Sequence, residues 1–273
     1  MAGVGFGQQV PGGRSSVAVT ERTDGPLPWA AVSDPGPART HNEDRWRVDE
    51  PCGVFALADG MGGYNAGEVA AEVAVRTAVE LVAALADSGL CAADALARAV
   101  AAAHAGIVDF ARTRPECLGM GTTLVAARIA GGALAVAHVG DSRAYRWRDG
   151  RLDRLTADHS IGECMLAAGR LSESQVRRLP ARGILTRALG IAAEPPQPEL
   201  ALLDWRPGDL LLLCSDGLTD TLDDAALGSI LARGGATLGA LSRDLIATAL
   251  AAGCTDNVTV LLAGGEPVSP LNH

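Results

Sequence analysis

Lysine is absent from this sequence of 273 residues; all 23 basic residues are arginine. No Schiff-base lysine, P-loop lysine or Ser-Lys catalytic pair is therefore available. Aromatic residues make up 3%, and 32 acidic against 23 basic side chains leave a formal net charge of −9. An acidic chain with so few stacking side chains lacks the basic patches and platforms that bind nucleic acid. The six cysteines (Cys52, Cys91, Cys117, Cys164, Cys214 and Cys254) include no CxxC pair for zinc or redox chemistry. Reduced and mostly buried thiols are the expectation for a cytoplasmic protein. The first ten residues have neither the basic start nor the apolar core of a secretory signal. Apolar runs such as 210–214 are far too short to cross a bilayer. The expectation is a soluble, cytoplasmic chain.

What is present reads as globular: 48% of residues are hydrophobic and 20% charged. Residues 1–26, rich in Gly, Ser, Thr and Pro, read as a flexible leader, 27–265 as one domain, and 266–273 as a short tail. Alternating or continuous apolar runs predict strands at 29–33, 45–48, 54–58, 122–129, 133–139, 143–147, 151–155, 199–203, 209–214 and 258–263. Helical spacing predicts long helices at 67–86 and 92–113, short ones at 161–168 and 172–178, and a later pair at 223–232 and 238–252. Hairpins dominate and two helix pairs interrupt them. The fold class expected is α+β, a central antiparallel β-sandwich with helix pairs on both outer faces.

Acidic residues recur at the ends of these strands. Asp59 follows VFALA, Asp141 follows ALAVAHVG, Asp216 follows DLLLLCS, Asp256 precedes NVTVLLA, and Glu43 and Asp44 precede RWRV. Asp149 and Asp209 are ordinary turn residues on this reading. Strand ends of a two-sheet sandwich meet at one rim, where gathered carboxylates repel and raise each other's pKa. Divalent cations relieve that repulsion, and a set of hard oxygen donors without paired His or Cys favours Mg²⁺ or Mn²⁺ over Zn²⁺.

Eight motifs in register carry a resemblance. They are RTHNED (39–44), FALADGMGG (55–63) with Gly67-Glu68, GTTLVA (121–126), HVGDSRAY (138–145), LTADHS (155–160), LTRALG (185–190), CSDGLTD (214–220) and TDNVTV (255–260). Together they resemble the metal-dependent protein phosphatase family, also called protein phosphatase type 2C, in its bacterial single-domain form. The resemblance implies two catalytic Mn²⁺ or Mg²⁺ ions, bridged by Asp59, with the Gly60 carbonyl on one and Asp216 and Asp256 on the other. It implies a third ion at Asp141 with Asp216, and waters held by Glu43 and Asp44. Arg39 matches the arginine that grips the substrate phosphate, and 155–189 matches a flap beside the active site, with Arg182 and Arg187 as candidate contacts to a phosphopeptide. The family's usual DGMGGH reads DGMGGY here, with Tyr64 in place of histidine and Met61 after Asp-Gly. His41, Tyr64 or a metal-bound water is then left to protonate the leaving group, while His104 and His138 read as structural.

The implied activity is hydrolysis of phosphoserine and phosphothreonine by a metal-bridging hydroxide, acting in line and without a covalent phosphoenzyme. The expected partners are phosphorylated proteins, namely Ser/Thr kinases and their substrates, met by a monomer that uses neither nucleic acid nor membrane. Two alternatives stay open: a phosphatase-like binding scaffold without turnover, and a specialised phosphatase of an anti-sigma-factor antagonist or secretion-system protein.

Overall fold

Burial alternates along the strands and so assigns each face. In the strand Val54–Met61 (β4), Phe55 and Leu57 join one apolar cluster while Val54, Ala56 and Ala58 join another. In the strand Leu210–Cys214 (β11), Leu211 and Leu213 face the first cluster, and Leu210, Leu212 and Cys214 face a third. The period of two therefore defines an inter-sheet core and two outer cores.

The computed structural model describes residues 18–25, 27–62 and 66–264. The remaining strands are Ala18–Arg22 (β1), Trp29–Asp34 (β2), Asp44–Asp49 (β3), Gly121–Thr122 (β5), Leu124–Ala130 (β6), Ala133–Val139 (β7), Arg143–Arg148 (β8), Arg151–Arg154 (β9), Glu199–Asp204 (β10) and Val258–Gly264 (β12). One sheet has the order β1-β2-β12-β11-β8-β9 and the other β10-β7-β6-β4-β3, with β5 paired to β4; all pairings are antiparallel. Helices Ala66–Ala84 (α1) and Ala92–Arg112 (α2) cover the second sheet, and Asp224–Arg233 (α6) and Leu238–Ala251 (α7) pack with the first. Three short α-helices, Ile161–Ala167 (α3), Glu173–Val176 (α4) and Asp216–Thr219 (α5), and a 3₁₀ turn at Pro115–Cys117 complete the described chain. This is the α+β sandwich expected from the sequence.

Alanine does the work that scarce aromatics cannot. Ala70, Ala71, Ala74 and Ala78 of α1 meet Ala56 and Ala58 of β4, so helix and sheet approach closely over small side chains. Helix starts follow capping chemistry: Ser160, Asp223 and Thr237 each accept an N–H from three residues onward.

Three local readings change. Residues 18–22, counted with the leader on composition, form β1, held by five-residue pairing to β2 and by Gly239 N–H donating to Glu21 (2.9 Å). Residues 216–219, for which the sequence predicts no element, form α5. The predicted strand 122–129 is split after Thr122, because Thr123 turns its backbone N–H to the Asp59 carbonyl (2.9 Å). Asp209 sits in a turn as expected, and it is also buried against Arg148. Of the six free thiols three are buried, Cys52 is half-buried, and Cys91 and Cys164 are exposed.

The inter-sheet core predicts where stability is concentrated. Leu213→Ala, at a fully buried position, should destabilise the protein by about 2–5 kcal/mol, whereas Leu202→Ala, at an exposed position of edge strand β10, should stay within about 0.5 kcal/mol. Denaturant unfolding of both variants checks the contrast.

Candidate active site

In antiparallel sheets the end of one strand adjoins the start of its neighbour, and here that geometry collects the carboxylates. Asp44 at the start of β3 pairs with Asp59 near the end of β4, and the end of β11, before Asp216, lies by the start of β12, after Asp256. Asp141 follows β7, whose end pairs with the start of β6. A cavity of about 620 Å³ at this rim is lined by Arg39, Glu43, Asp59, Gly60, Asp141, Asp216 and Asp256. A neighbouring groove of about 390 Å³ shares Asp141 and Asp216 and runs between α3, α4 and α6. All the acidic candidates except Asp44 therefore line one space, and Asp44 is buried beneath it.

Asp59, Asp44 and Glu43 are held, by side chain or backbone, by groups that the motifs contain. Thr123 accepts the Asp59 backbone N–H on its hydroxyl (2.9 Å), and Thr122 donates its hydroxyl to the Asp59 carbonyl (2.8 Å). Asp44 Oδ2 accepts from Ser215 Oγ (2.7 Å) and Thr259 Oγ1 (2.6 Å), both on the opposite sheet, while its buried Oδ1 has no partner among the described residues. Asn257 accepts the Glu43 N–H (2.8 Å) and donates to the carbonyls of Pro35 and His41, fixing the loop that carries Arg39. Ser215, Thr259, Thr123 and Asn257 were not singled out from sequence. All four lie in quoted motifs, but their partners are 64 to 215 residues away. Gly60 has no room for a side chain: a Cβ would stand 2.2 Å from the Gly67 carbonyl oxygen at the start of α1.

The electrostatics are those of a crowded acidic pocket. Burial, then Asp44, Asp216 and Asp141, push the Asp59 carboxyl well above its usual range. Burial, then Asp141, Asp220, Asp256 and Asp44, do likewise for Asp216. Burial raises Asp141 to about 7 and Asp44 to about 6, the latter against the pull of Thr259 and Ser215. Arg39 donates to Asp256 (2.7 Å), and that contact raises its own pKa further. A crowd of oxygen donors on one cavity, with an orphaned buried oxygen on Asp44 beside it, fits hard divalent cations.

Other candidates fall outside this group. His41 is exposed, its ring does not line the cavity, and its carbonyl serves Asn257. Tyr64 lies outside the described residues. Arg187 lines the cavity; Arg182 lines the groove, where it pairs with Asp220 (2.9 Å). His104 accepts Gly190 N–H (3.2 Å) and His138 contacts the Ala157 carbonyl (2.7 Å), as structural residues do.

Comparison with known proteins agrees with this geometry. Residues 38–252 match the protein phosphatase 2C family. The serine/threonine protein phosphatase PstP of Mycobacterium tuberculosis is 38% identical over 240 residues, which is 87% of this chain and 45% of that protein. This chain thus spans less than half the length of that relative. The serine/threonine phosphatase stp of Listeria innocua is 36% identical over 237 residues, 84% of this chain and 92% of that one. The crystal structure of the PstP catalytic domain with two manganese ions superposes with a TM-score of 0.76 at 35% identity, covering 87% of this chain and 97% of that one. With family match, identity and fold in agreement, the chain belongs to the protein phosphatase 2C family.

Proposed function

We propose that this chain is a divalent-metal-dependent phosphatase that hydrolyses phosphoserine and phosphothreonine in proteins. The observation that carries the reading is the crowding of Asp59, Asp141, Asp216 and Asp256 around one cavity with the Arg39 guanidinium beside them. Asp59, the Gly60 carbonyl, Asp216 and Asp256 would hold two ions, Mn²⁺ or Mg²⁺. Asp141 with Asp216 would hold a third, and Glu43 and Asp44 would hold coordinated waters. Bound there, such ions supply a water acidified to near-neutral pH and positive charge beside the phosphoryl oxygens.

The chain's own groups do the rest. Arg39 offers a planar fork of donors to two phosphate oxygens, a geometry that lysine lacks. Its present partner is Asp256, so gripping a phosphate frees that carboxylate for a cation. Thr123 steadies Asp59 from the backbone, and Ser215 and Thr259 decide which oxygen of Asp44 is left for the site. Leu185, Ile191 and Pro196 form an apolar wall of the cavity, which exceeds a phosphate ion in size and supports a peptide segment as substrate.

The partners proposed are phosphorylated Ser/Thr kinases and their protein substrates, met by a monomer in the cytoplasm. No helix among the described residues is long and apolar enough to cross a membrane. The bacterial relatives, named as serine/threonine phosphatases, support this choice.

Phosphate release from a phosphothreonine peptide should require Mn²⁺ or Mg²⁺ and stop with EDTA; Mn²⁺ binding by calorimetry without any turnover would favour the scaffold reading instead. Asp59→Asn and Asp216→Asn should each lower kcat by more than about 100-fold, since loss of a ligand exceeds loss of its support. Arg39→Ala should raise KM about 10- to 100-fold, the worth of one charge-assisted contact, and an unchanged KM argues against the clamp. For the leaving-group proton, His41→Ala and Tyr64→Phe should differ. Loss of the true donor slows the phosphothreonine peptide about 100-fold or more and spares an aryl phosphate with an acidic phenol.

A further inference from the structure

Outside the carboxylate cluster, His138, His159 and Glu199 bring their ligand-type atoms within 4.8 Å of one another. The arrangement does not suit a metal. The imidazoles are stacked, with centroids 4.6 Å apart and planes at 22°, so their in-plane lone pairs run side by side and do not converge on one ion. Arg187 adds a guanidinium 3.1 Å from His159 Nε2, and His138 Nε2 is committed to the Ala157 carbonyl.

The hydrogen bonds assign a different task. Gly140 N–H donates to His159 Nδ1 (3.2 Å), so the proton of the neutral ring sits on Nε2 and the Arg187 guanidinium beside it pairs with Glu199, not with the ring. Nε2 faces Glu199 Oε1 at 3.2 Å, and that carboxylate lies 3.7 Å from Arg187. Burial, His138 and Arg187 hold the ring below the usual histidine pKa, which keeps it neutral. The backbone closes the clip: His159 N–H donates to the Gly140 carbonyl (2.9 Å), and Thr186 N–H to the His159 carbonyl (2.8 Å).

Both ends of the imidazole touch functional segments. Gly140 precedes Asp141 and has φ +104°, and a Cβ there would stand 2.5 Å from Thr123, the residue that steadies Asp59. Arg187 sits between two isolated β-bridges, Ser160 to Leu185 and Thr122 to Leu189, on the wall of the cavity that Arg39 also lines. Its backbone is therefore clamped on either side.

We infer that His159 is a two-ended positioning residue. Its Nδ1 holds the Gly140-Asp141 turn toward the metal-binding carboxylates, and its Nε2, through Glu199, sets the direction of Arg187 in the cleft that takes the phosphopeptide. The inference rests on the phosphatase reading, which wild-type turnover tests by itself; the contrast between variants tests this one.

Asparagine and glutamine separate the two ends, because Asn carries a polar atom near the Nδ1 position and Gln one near Nε2. His159→Asn should raise KM for a phosphothreonine peptide about tenfold while leaving the Mn²⁺ isotherm as in the wild type. His159→Gln should show the reverse, Mn²⁺ binding about tenfold weaker with KM within about twofold of wild type. Parallel changes in both variants, or no change in either, would make His159 a packing residue and overturn the inference. Should a His159 variant fail to fold by circular dichroism, Glu199→Gln at the exposed start of β10 decides the Nε2 end. A KM raised about tenfold supports the device, and an unchanged KM overturns it.

Discussion

Mutual repulsion among carboxylates is the constraint around which this structure is organised. Asp59, Asp141, Asp216 and Asp256 line one cavity, with Asp44 buried beneath it. Burial and neighbouring negative charge raise their pKa values, so the folded state gives up stability to keep them together. A cluster of this kind persists in a stable fold when cations neutralise it. The sandwich supplies the strand ends that place it, and the two outer helix layers supply the apolar burial that holds the sandwich closed.

The frame around the cluster is made of small neutral groups. Threonine, serine and asparagine side chains fix carboxylate oxygens or their backbones from the opposite sheet or from a neighbouring strand. Such donors orient an oxygen without cancelling its charge, so the site remains open to a cation. Arg39 on the cavity pairs with Asp256, both side chains partly exposed. That pair is partly solvated and therefore weak enough to exchange.

Absence of lysine and scarcity of aromatics shape the rest. Every cation in the cleft is a guanidinium, able to hold a planar anion at two points. The cores are filled with alanine, valine and leucine, which lets α1 lie close on β4 and lets its first turn approach Gly60. The same closeness leaves glycine as the residue that fits at Gly60.

The periodicity of apolar residues was enough to determine most strands and helices, because burial on one face is a local property of the chain. It also marked the acids at strand ends, and eight motifs in order named the family from which the roles of Asp59, Asp216, Asp256 and Arg39 are proposed. Residues 18–22 escaped, since an exposed edge strand has no alternation strong enough to set it apart from a loop; only its pairing with β2 makes it one. The helix at Asp216 escaped because four residues are too few to show a period. His41 looked as near to the site as Glu43 in the sequence, yet the loop turns its ring to solvent. The link from Asp44 to Ser215 across 171 residues, and the clip of His159 between Gly140 and Glu199, were decided by tertiary structure alone. Such contacts join strands of different sheets or a loop to a distant edge, and which side chains meet there depends on how the layers pack, a quantity that no local pattern of residues contains.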